Sequence, residues 1–146
     1  MKETNENAQL LNFIYQNSQM GVNTITELID ITTDDNFKKQ LHAQLKEYRQ
    51  IHDESAQMLE ANGFNEEGLS AFEKIRTYLM INFQTLTDDS VSHIAEMLIV
   101  GSTMGVIDAI RNVRTYKGKA EPDILELMEH LRIFEENNVE RFKAYL

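Results

Sequence analysis

Two carboxylates, Asp108 and Glu135, fall among apolar neighbours when the sequence is wound at about 100° per residue. A carboxylate in an apolar interior is destabilising by several kcal/mol unless it is paired, protonated or bound to a cation. The inward line that holds Glu135 reads Leu127, Leu131, Glu135, Asn138 and Phe142. Asp108 shares a line with Met97, Gly101 and Met104. Facing polar groups come from two earlier segments. Gln44, Tyr48 and Ser55 are central on one, with His52 on its flank; Asn17 and Thr24 lie inside the apolar face of the other, with Glu27 at its edge. Three kinds of chemistry fit this set. One is a closed hydrogen-bond network, Asp108 with Asn112 or a tyrosine and Glu135 with Arg111, Gln44 or Tyr48. A second is iron or manganese held by Glu27, Glu47, Asp108 and Glu135, and the third is a small-molecule cavity.

Other chemistries lack their residues. The chain has no cysteine, which removes disulfides, thiolate ligands and cysteine nucleophiles. His42 and His130 project outward, His93 lies in the first turns of its segment, and no two histidines stand four apart as zinc proteases require. No Gly-x-Ser-x-Gly, phosphate loop or dinucleotide fingerprint is present, so no catalytic residue is singled out. The seven methionines read as core filler. Gly101 and Gly105 read as a notch that lets a neighbouring backbone approach closely.

Five helical segments must position these groups, and nowhere does a period-two run compete with them. The first spans Asn5 to Thr32, with Leu10, Phe13, Ile14, Ile25 and Leu28 on one side. The break Thr33-Asp34-Asp35 supplies an N-cap and first-turn acids for a second that runs to Asn62, where Asn62-Gly63 forms a left-handed stop. A third, Glu66 to Leu86, carries Leu69, Phe72, Ile75, Leu79 and Phe83 in register. The fourth contains IAEMLIVGSTMGVIDAI, residues 94–110, and ends near Gly118; it is apolar on every side, which predicts enclosure at the bundle centre. Pro122 opens the fifth. If the third segment travels back along the bundle, the four long helices take up-down-down-up polarity with a crossover helix.

At 146 residues with one proline and six glycines, the chain is expected to form one domain, residues 1–146, without a linker. A formal net charge of −10 argues against nucleic acid and anionic membrane surfaces, both polyanions. Asp108 and Glu96 within the apolar run argue against a membrane span, and MKETNENAQL is no signal peptide, so a cytoplasmic location is expected. The first segment's apolar face is broad, with Leu11, Val22 and Ile29 beside the main stripe. That breadth suggests a homodimer interface.

The texts AEMLIVGSTMGVIDAIRN (residues 95–112) and FEENNVERFKAYL (residues 134–146), together with the helix plan, resemble small bacterial members of the ferritin-like superfamily without an established activity. The resemblance implies an all-α, five-helix bundle. It also implies a metal centre built from a Glu on each of two helices and a Glu-x-x-His on each of the other two. The matching positions are Glu27, Glu47-x-x-Gln50, Asp108 and Glu135-x-x-Asn138, so both histidines are replaced by carboxamides, which are weak iron ligands. The expectation is therefore a non-catalytic, homodimeric interaction or small-ligand-binding bundle that needs no cofactor. A degenerate iron or manganese protein with storage or oxidase activity is the alternative.

Overall fold

The computed structural model describes residues 5–66, 88 and 90–146 of the chain. Four α-helices make up these residues: α1 (Glu6–Ile31), α2 (Asp35–Ala61), α3 (Val91–Tyr116) and α4 (Pro122–Lys143). Their starts follow local chemistry. The Asn5, Asp34 and Ser90 side chains accept hydrogen bonds from the backbone N–H of Ala8, Phe37 and His93, satisfying donors that a helix leaves orphaned. Pro122 occupies the first turn of α4, where its missing N–H is not needed. At Gly63 and Gly118 the backbone turns into the left-handed region, with φ of 72° and 79°, and the chain leaves α2 and α3 there.

The helices pair as two hairpins, α1 with α2 and α3 with α4, and each hairpin packs more tightly within itself than against the other. Cross-hairpin bonds fix the directions. Tyr116 Oη, at the end of α3, donates to Gln9 near the start of α1 at 2.9 Å, and the Glu121 N–H donates to Asn7 at 2.8 Å. Phe37 at the start of α2 meets Phe142 at the end of α4 edge-on, with ring centroids 5.8 Å apart. So α1 and α4 run one way, and α2 and α3 the other. The core between them is Leu10, Ile14 and Leu28 of α1, Leu41, Ile51 and Leu59 of α2, Ile94 and Ala109 of α3, and Ile124, Met128 and Leu131 of α4.

This architecture corrects the five-helix, ferritin-like plan. Helices number four among the described residues, and a four-helix bundle closes around the core. The fifth helix was expected at Glu66 to Leu86, and residues 67–87 lie outside the described residues. Its inclusion rested on an Asn65 cap and on apolar spacing, which reports a face that is able to bury and not what covers it.

A second correction concerns α3. Its inward line is Ile94, Ala95, Leu98, Ser102 and Ala109, while Val100, Met104 and Ile107 are 53, 40 and 44% exposed. The helix is therefore not enclosed on all sides. It is long and apolar enough, by length and composition, to cross a membrane. The first helix gives the opposite result: Leu10, Leu11, Ile14, Ile25 and Leu28 are all buried within the chain, and Phe13, Val22 and Ile29 pack partly against the same core. The breadth of its apolar face is accounted for by its own bundle.

A candidate ligand pocket on a buried tyrosine–glutamate pair

Tyr48 and Glu135 meet at the centre of the bundle, brought together by the antiparallel run of α2 against α4. The Tyr48 hydroxyl donates to Glu135 Oε1 in a short, buried hydrogen bond. The edge of the Phe134 ring stands against the phenol at a centroid distance of 4.7 Å. Two glycines on the other helices make room for this pair. A Cβ added at Gly21 of α1 would run into the Tyr48 ring, and one added at Gly105 of α3 would sit 3.0 Å from Glu135 Oε2. Ser102 of α3 reaches both partners with its hydroxyl. Four helices thus converge on one phenol–carboxyl contact.

Burial dominates the electrostatics. Glu135 is 2% exposed, and desolvation pushes its carboxyl up to about 7, against the opposing pull of the hydrogen bonds from Tyr48 and Ser102. Tyr48 is held well above its ordinary range by burial and by the Glu135 charge beside it. Nearby polar groups remain open. Asn138 is fully buried against the Tyr48 phenol, to which it hydrogen-bonds, with the rest of its amide capacity unmet, and Gln44 Nε2 is buried without a partner. Buried amides in this condition call for water or a ligand.

A cavity of about 50 Å³ lies against the pair, between α1 and α3. Its floor is Tyr48, Glu135 and Ser102; Asn17, Met20, Gly21, Thr24 and Ile25 of α1 form one wall, and Met97, Leu98, Gly101, Met104, Gly105 and Asp108 of α3 the other. One water occupies roughly 10–15 Å³ on such a measure, so the space suits a few waters or a ligand of a few heavy atoms. Asp108 is half-buried in this wall, and desolvation raises its carboxyl despite the lowering influence of Arg111. Its side chain lines the same cavity as Glu135, at the edge and not in the deep interior.

The remaining candidates separate. Glu47 lies in a different groove, between α2 and α4, where it accepts from His130 Nε2 at 3.0 Å. Glu27 is half-buried and does not line the cavity. Among the described residues no three His, Cys, Asp or Glu side chains are grouped so as to hold a metal ion, so Glu27, Glu47, Asp108 and Glu135 do not fit a carboxylate-bridged centre. His52 stacks on Tyr15 at 4.4 Å, with Nε2 buried and unpartnered, away from the cavity walls. Asn112 donates to the Asp108 backbone carbonyl at 2.7 Å, not to its carboxylate.

Ser102 and Gly21 carried no signal strong enough to single them out, and Gly105 stood out only with Gly101, as a notch for a neighbouring backbone. Ser102 is a common residue type in helices, yet it lies one turn after Leu98 on the inward line. Gly21 and Gly105 do not admit a neighbouring backbone: each admits a side chain, and Gly101 faces open space in the cavity wall. Comparison with family models, curated proteins and solved structures finds no match for the chain, so the likeness to ferritin-like bundles rests on its sequence text alone.

Proposed function

We propose that the protein binds a small ligand in the cavity between α1 and α3 and does no chemistry on it. The observation that carries this reading is the buried Tyr48–Glu135 pair at the floor of a largely apolar pocket. Apolar walls with a few convergent polar groups are the usual composition of a small-molecule site. A titratable group perturbed by burial and lining a cleft is one mark of such sites. The pocket's carboxyl is held by the Tyr48 phenol and the Ser102 hydroxyl, an arrangement that suits recognition better than turnover.

The test is occlusion. A Cβ added at Gly101, in the cavity wall, meets no neighbour within 4 Å, so Gly101→Leu is expected to occlude the cavity. Four-carbon probes (1-butanol, n-butylammonium, butyrate), titrated into labelled protein, are expected to shift the Ser102 and Gly105 amides saturably for at least one probe. Gly101→Leu is expected to abolish that response. No saturable response to any probe rejects the reading.

A second reading, a homodimeric interaction module, is favoured by one observation: the exposed stripe of Val100, Met104 and Ile107 on α3. These residues stand four and three apart and so share one helix face, the pattern by which two copies pack helix against helix. The two readings are compatible, because Met104 belongs both to the stripe and to the cavity wall.

A further inference from the structure

We infer that the cavity takes a small organic cation, an alkylammonium head on a short apolar body, with Asp108 and Glu135 as its counter-charges. This rests on the ligand-binding reading above and narrows it to one chemical class.

The lining carries two acidic side chains and no basic one. Arg111, the nearest cation to Asp108, lies on the exposed side of α3 and outside the lining. An anionic ligand would add a third negative group to a low-dielectric pocket, which is strongly unfavourable. A neutral apolar ligand would leave the Glu135 carboxyl with only its present donors, Tyr48 and Ser102. A cation supplies what the Glu135 carboxyl lacks, a charge-assisted partner in a water-poor site, and gives Asp108 a counter-charge on the cavity side.

The rest of the lining decides between organic and inorganic cations. Met20, Met97, Met104, Leu98 and Ile25 present thioether and hydrocarbon surface, which covers alkyl groups and does not replace the hydration shell of a hard metal ion. The limited volume restricts the buried part to a few heavy atoms, and Met104, a wall residue that is 40% exposed, carries the lining out to solvent.

The experiment titrates n-butylammonium chloride, 1-butanol, sodium butyrate and potassium chloride at equal ionic strength and pH 8, reading the Ser102 and Gly105 amide shifts. The expected result is saturable binding of n-butylammonium roughly tenfold tighter than 1-butanol, the factor that one modest charge-assisted contact supplies. Butyrate and potassium chloride are expected to give no saturable shift. Asp108→Asn, at a half-buried position of the wall, is expected to weaken n-butylammonium several-fold and leave 1-butanol unchanged. Equal affinity for the amine and the alcohol, or an equal response to potassium, overturns the cation assignment and leaves the ligand-binding reading standing. Failure of every probe, with Gly101→Leu changing nothing, overturns both.

Discussion

Glu135 makes stability depend on its proton. Its carboxyl is raised from about 4.5 to about 7 in the fold, so between these values the folded chain holds a proton that the unfolded chain has lost. Stability is therefore fully present below about 4.5, falls as pH rises through about 7, and levels off above it. The integrated loss is on the order of 3 kcal/mol. Glu135→Gln removes that loss while keeping an acceptor for Tyr48. Denaturant melts should show the variant more stable than the parent at pH 8, with a flatter profile between pH 5 and 8; an unchanged slope would place the titration elsewhere. Tyr48→Phe leaves the carboxyl with Ser102 alone, and is expected to cost about 1–3 kcal/mol and to raise the Glu135 pKa further, measurable by carbon-detected titration. At this scale the sequence was informative. Glu135 sits mid-face between Leu131 and Phe142, and Tyr48 was among its expected partners. Asp108 was harder to place because its helix offers apolar residues in every direction.

Helices are positioned here by what glycine omits. The Tyr48 ring occupies the space a side chain at Gly21 would need, so Gly21→Ala is expected to destabilise by about 1–3 kcal/mol through overpacking. Gly101→Ala meets open space and gains helix propensity, so it is expected to stabilise by up to about 1 kcal/mol. Thermal melts of the two variants should move in opposite directions, and a common sign would break the contrast. Helix ends were readable because caps are local: Asp34, Pro122 and the glycines at 63 and 118 act on their own turns. The inward phase of α3 was not, since an all-round apolar helix gives periodicity nothing to select. Only packing shows that Ser102 and Leu98 face in while Val100 and Ile107 face out.

Two compact hairpins meet across a looser seam, and the cavity lies on that seam. The bundle architecture was visible in the spacing of apolar residues. How many helices close it, and which faces stay uncovered, depends on tertiary contacts that spacing does not encode. The exposed face has moved from α1, where the breadth of the stripe suggested it, to α3. If that face joins two copies, light scattering at micromolar concentration should give twice the chain mass. The double variant Val100→Lys with Ile107→Lys should then halve it without lowering the melting temperature. A monomeric parent would reject the dimer.

One aromatic side chain touches all the other helices: Tyr48 lies against Gly21, reaches Ser102, and is held at Phe134 and Glu135. A half-rotation of its ring about the long axis requires the hairpins to part for a moment. The two edges of that phenol should accordingly interchange slowly on the magnetic-resonance timescale, and their exchange rate becomes a clock for breathing of the entire assembly, one that an occupant of the neighbouring cavity should slow.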